Sequence, residues 1–240
     1  MGYNIDYGFS IAQEGSVEGG TQVGYYPGDS TASGTSGLTI AHGVDLSHFT
    51  AGELKKAGVS QKDIAQVSDY IARYPEGSDV MESGPKGSQL TIRNTPLDIL
   101  TRDEKGNRTG FKIKWDKTSV DNINKYMEGK FTESAKNTYK KLSGKNFEDL
   151  SKAKQTVLFD LTYNAGKNFI EGKTTRLKQF IADDDWSSIE NELRTGKWAA
   201  KDKDRHIKRA DLLKNERIDA DIRFMMPDEA VMDTILKGAE

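Results

Sequence analysis

EGGTQVGYYPGDSTASGTSGLTIAHGVDLSHF, residues 18–49, is the stretch on which the fold turns. Within it QVGYY alternates, PGDSTASGTSG is turn chemistry, and LTIAHGV is β-branched and bounded by glycine. That pattern predicts a small hairpin or three-stranded sheet. Upstream, Ile5, Phe9 and Ile11 predict a brief helix within residues 3–13, leading to EGSVEGG. Downstream the period changes. Thr50 followed by Glu53 is a capping box, and SQKDIAQVSDYIARY places Ile64, Val67, Ile71 and Tyr74 at helical spacing, so two successive helices are expected.

Between Pro75 and Gly110 the composition turns to Gly, Pro, Ser, Thr and charge, with ESGPKGS and DEKGNRTG as turn signals, and reads as an insertion or surface hairpin. Helical periodicity returns at residues 118–142. It is strongest in NFEDLSKAKQTVLFDLTYNAG, where Val157, Leu158, Leu161 and Ala165 face inward and Gly166 is a left-handed stop. Leu177, Phe180 and Ile181, then an aspartate cap before Trp186, Ile189 and Leu193, predict another helix pair. Last come helices through DRHIKRADLLKNERID and the PDEAVMDTILKGA tail. The expected plan is α+β and mostly helical, one domain over residues 1–240, with a β lobe at about 20–49, the insertion at about 75–114 and a helical lobe at about 118–240.

The chain has 240 residues, 35% of them hydrophobic, enough for one substantial core or two lobes around a cleft. Its 30% charged residues nearly balance to a net charge of −2, which gives no electrostatic footprint for nucleic acid or anionic lipid. No cysteine is present, which excludes disulfides and thiolate metal sites. The first residues lack the basic and apolar regions of a secretory signal, and no window is long enough to span a membrane. A protein of this kind acting outside the cytoplasm is expected to be released or delivered by other machinery.

Glycoside cleavage needs a protonated carboxylic acid at the leaving oxygen and a second polar group that stabilises charge or activates water. Glu18 sits on a Gly-Gly break that removes side-chain bulk around its carboxyl. Asp45 follows a short β segment with Thr39 six residues earlier, so a hairpin could bring hydroxyl and carboxylate to one water. On residue types alone, a glutamate near a helix end is more often a cap or a solvated side chain.

EGGTQVGYYP, followed after a loop by SGLTIAHGVDL, resembles the pesticin-type branch of the phage-lysozyme-like muramidases. The resemblance implies a lysozyme-like two-lobe fold, Glu18 as general acid, Thr39 positioning water and Asp45 as partner carboxylate. Glu14, also followed by glycine, is a rival acid; the spacing from Glu18 to Tyr25 matches the family better. QTVLFDLTYNAG resembles the family's central helix, which would set Asn164 against the sugar chain. DWSSIENEL followed by RHIKRADLL resembles its closing helices, with Arg205 approaching the acid. Tyr25, His42 and Tyr163 are the further substrate-binding candidates. The chain departs from the pattern in Ala-His-Gly-Val before Asp-Leu, in His206 where a second arginine is usual, and in the 75–110 stretch, which has no evident counterpart.

An arginine beside Glu18 would lower its pKa, the wrong direction for a proton donor, so partial burial must compete with that charge. A water held by Asp45 and Thr39 on the face opposite the leaving group implies inversion, with carboxyls roughly 6.5–9.5 Å apart. The expected activity is hydrolysis between N-acetylmuramic acid and N-acetylglucosamine by a monomer without metal or organic cofactor. The enzyme would be used in phage lysis or as a delivered antibacterial toxin acting in the periplasm, and a toxin would have an immunity protein that plugs the cleft. Two other readings stay open: a wall-binding module with a decayed site, and a lytic transglycosylase, which needs the acid but not Asp45. His42, His48 and His206 lack metal-cluster spacing; ADDDW reads as a helix cap, the NRT sequon at Asn107 as chance, and KDKDRHIKR, apart from Arg205, as a solvated helix face.

Overall fold

The computed structural model describes residues 3–13, 21–25, 37–74, 81–84, 101–102, 108–110, 113–165, 175–196 and 202–225. The fold is α+β and mostly helical, with a small antiparallel sheet early in the chain. The chain divides into two compact units, residues 8–130 and residues 1–7 with 131–240.

In the 8–130 unit, β1 (Thr21–Tyr25), β2 (Thr39–Ala41) and β3 (Val44–Asp45) form a three-stranded sheet in that order. The β2–β3 hairpin pairs Ile40 with Val44 and Thr39 with Asp45. Its turn needs positive φ at Ala41 (59°) and Gly43 (80°). The free edge of β1 is closed by residues 113–115: Gly24 N–H donates to Ile113 O at 3.0 Å and Trp115 N–H to Gln22 O at 2.9 Å. Leu38, Ile40, Leu46, Leu54, Val67, Trp115 and Ile123 are fully buried in one apolar cluster. Each large aliphatic side chain so buried is worth about 1.5–3 kcal/mol.

Helix α1 spans Tyr7–Gln13. Helix α2 (Ala51–Lys56) starts on the capping box, Thr50 Oγ1 accepting from Glu53 N and the Glu53 carboxylate accepting from Thr50 N. Helix α3 (Gln61–Gln66) is capped by Ser60. It stops there, although the apolar spacing runs to Tyr74, because the following backbone finds partners elsewhere. Ala72 N–H donates to Phe49 O at 2.8 Å, and Arg73 exchanges two backbone hydrogen bonds with Glu82. Tyr74 is 60% exposed. Within the stretch read as an insertion, residues 81–84 are docked against Ser47 and Arg73 by backbone hydrogen bonds, and β4 (Thr101–Arg102) pairs with β5 (Arg108–Gly110) in a separate hairpin.

Helix α4 (Lys117–Ser143) passes from one unit into the other at residue 130. In the second unit α5 (Lys152–Ala165), α6 (Thr175–Ala182), α7 (Trp186–Thr195) and α8 (Lys203–Met225) surround Val157, Leu161, Leu177, Ile189, Leu193 and Ala210. The chain's first residues are tied to this unit by Asn4 N–H to Gln155 Oε1 and Asp6 N–H to Thr156 Oγ1. Asp185 caps α7 by accepting from Ser188 N at 3.0 Å, as ADDDW suggested. Residues 227–239, read as a final helix, lie outside the described residues, as does Gly166.

Candidate active site

Antiparallel pairing sets Thr39 directly opposite Asp45, so both side chains leave the hairpin on one face. Both Asp45 oxygens are acceptors. Oδ1 accepts from Ser47 Oγ at 2.6 Å and Ser47 N at 2.9 Å, and Oδ2 accepts from Gly37 N at 3.0 Å. The carboxylate is thus gripped from both flanks, yet its side chain stays 23% exposed, with His48 Nε2 3.8 Å from Oδ2. Thr39 is buried and its hydroxyl donates to Gly37 O at 3.2 Å. With its proton committed there, its oxygen has lone pairs to offer a donor.

Gly37 allows this close grouping. A Cβ there would lie 2.3 Å from Ser47 Cβ and 2.7 Å from Asp45 Oδ1. The hairpin tip is fixed from α4, where Asn124 Oδ1 accepts from His42 N at 3.1 Å. His42 is buried; desolvation pushes its imidazole below the ordinary histidine pKa, against the pull of Asp121. Glu18 and its rival Glu14 lie outside the described residues, as does the side chain of Tyr25.

In the other unit, Arg205 is buried and forms a two-point bond to Asp160, Nε to Oδ2 at 3.1 Å and Nη2 to Oδ1 at 2.6 Å. Arg209, fully buried, donates Nε to Asp160 Oδ2 at 2.6 Å and Nη1 to His206 Nδ1 at 2.8 Å. An arginine only donates, so Nδ1 accepts and a neutral ring carries its proton on Nε2. Burial first, and then the Arg209 and Arg205 charges, bring His206 down to about 4. KDKDRHIKR, read as a solvated face apart from Arg205, is therefore not solvated at His206 and Arg209 either, because a fully buried Asp160 on α5 collects the charges on one side of α8. Asp160 and Arg209 escaped the sequence reading, although a lone acid amid Val157, Leu158, Phe159 and Leu161 was a visible signal of a buried charge. Tyr163 is half-buried, edge-on to Phe131 at 4.9 Å and stacked with Phe159 at 5.8 Å, while Asn164 is exposed.

The family model described as Pesticin, the bacterial toxin homologue of phage lysozyme, C-terminal part, matches residues 4–187. The chain belongs to the pesticin family. No curated protein matches it. Membership of a pesticin family related to phage lysozyme supports a lysozyme-related function. The match begins before Glu18, includes Thr39, Asp45, Tyr163 and Asn164, and ends before Arg205. Among the described residues no group of three or more His, Asp and Glu could hold a metal ion, and no helix is long and apolar enough to cross a membrane.

Proposed function

We infer that this pesticin-family protein is a muramidase that hydrolyses the β-1,4 bond between N-acetylmuramic acid and N-acetylglucosamine in peptidoglycan. The observation that carries the reading is the register of the β2–β3 hairpin, which faces Thr39 with Asp45. Thr39 and Asp45 are both acceptors toward an incoming water. A water that donates one proton to each keeps a lone pair for the anomeric carbon. In this reading Glu18 protonates the glycosidic oxygen as the bond to the leaving sugar breaks, water forms the new C–O bond from the opposite face, and Asp45 takes the water's proton. The product is inverted.

Tyr25, His42, Tyr163, Asn164 and Arg205 are the proposed substrate-binding residues. We place the action at the bacterial cell wall, by a monomer, in lysis or as a toxin with an immunity partner. The whole chain is proposed to work as one catalytic domain. Mass analysis of soluble muropeptides released from purified peptidoglycan by the parent and by Glu18→Gln tests this. Reducing-end products from the parent alone are expected. Anhydro products would move the reaction to lytic transglycosylation, and no soluble product from either would leave wall binding as the activity.

A further inference from the structure

Asp45 is not held by its own strand alone. Ser47, two residues on and fully buried, supplies two donors to the carboxylate, both to Oδ1. Its own carbonyl accepts from Gly84 N at 2.8 Å. Gly84 ends the 81–84 segment, which is locked to Arg73 through Glu82 by bonds of 2.9 and 2.8 Å. A side chain at Gly84 has no room: a Cβ would stand 2.1 Å from Tyr70 O and 2.6 Å from Tyr70 C, backbone atoms in the turn that follows α3. A continuous path thus runs from the Tyr70–Arg73 backbone through Gly84 to Ser47 and on to Asp45. It passes through the part of the sequence for which the family pattern offered no counterpart.

We propose that Ser47 is a positioning residue for Asp45, and that the 81–84 segment buttresses it from behind. This rests on the reading that Asp45 acts in the reaction. A carboxylate that must share a water with Thr39 has one useful orientation, and rotation about its two side-chain torsions would lose it. The Ser47 hydroxyl and amide fix Oδ1, Gly37 N fixes Oδ2, and Gly84 keeps the Ser47 peptide from withdrawing. The segment's contribution to the reaction is rigidity at the carboxylate.

The test compares Ser47→Ala, Gly84→Ala and Asp45→Asn, and pairs Ser47→Ala with Asp45→Asn, following kcat and KM on purified peptidoglycan and the melting temperature of each. Ser47→Ala removes one charge-assisted hydrogen bond, and a fall in kcat of about tenfold or more with KM nearly unchanged is expected. Gly84→Ala should move kcat in the same direction. Added to Asp45→Asn, whose residual rate is read by mass analysis of long digests, Ser47→Ala should cost nothing further. If Asp45→Asn keeps parental kcat, the catalytic reading of Asp45 fails, and this inference with it. If Asp45→Asn is crippled but Ser47→Ala turns over like the parent, the inference alone is overturned. An equal loss from Ser47→Ala in both backgrounds would also overturn it, as the mark of a purely structural role. Should Gly84→Ala not fold, Ser47→Ala and the double variant decide.

Discussion

Gly37→Ala should damage the candidate site more than any other single methyl group. Gly37 has no left-handed backbone to protect, so the penalty is one of space. The new Cβ would meet Ser47 Cβ at 2.3 Å, Ser47 Oγ at 2.7 Å and Asp45 Oδ1 at 2.7 Å. Carbon atoms rest at about 3.5–4.0 Å. Ser47 or the 37–38 backbone must therefore move by roughly 1 Å, and either movement strains the bonds that orient Asp45. Overpacking of this kind costs about 1–3 kcal/mol, which for a chain of this length lowers Tm by roughly 5 °C. Misplacement of about 1 Å at a reacting group costs on the order of 100-fold in rate. Thermal melts followed by circular dichroism and muropeptide release from purified peptidoglycan measure both. Gly129→Ala is the matched control, because a Cβ on that helical glycine meets nothing within 4 Å. It should gain about 1 kcal/mol and leave the rate alone. A Gly37→Ala protein with parental Tm and parental rate would refute the argument that this glycine makes room for the carboxylate.

The second unit offers two further tests. His206, at about 4 in the fold against 6.5 when unfolded, faces Arg205, Arg209 and Asp160. The unfolded chain takes this proton first as pH falls, so stability is full above about pH 6.5 and about 3 kcal/mol is lost by pH 4. Urea midpoints between pH 6.5 and 5 should fall less steeply in His206→Asn than in the parent, and equal slopes would contradict the assignment. Asp160→Asn leaves the buried Arg205 and Arg209 without their shared counter-charge, and should cost about 3–5 kcal/mol by denaturant titration; a loss under 1 kcal/mol would show that the arginines find other partners.

What could be read from the sequence was what short-range physics decides. The Thr50–Glu53 box and the Asp185 cap each act within three residues, and both formed as their spacing required. The sheet was legible for the same reason, because β-branched residues between glycines favour a strand whatever surrounds them. The 67–74 stretch was not, since its helical spacing competes with backbone partners at Phe49 and Glu82 that no local pattern announces. Likewise Arg209 looks like any charge in a charged run until Asp160, 49 residues earlier, takes it into the core. The site divides along this line. Thr39 facing Asp45 follows from a tight hairpin, whereas the donors that hold Asp45 come from Gly37 and Ser47, a glycine and a serine whose residue types advertise nothing. A carboxylate's identity is a property of its own position, but its orientation belongs to its neighbours. For that reason the decisive substitutions here are the small ones around Asp45 as much as Asp45 itself.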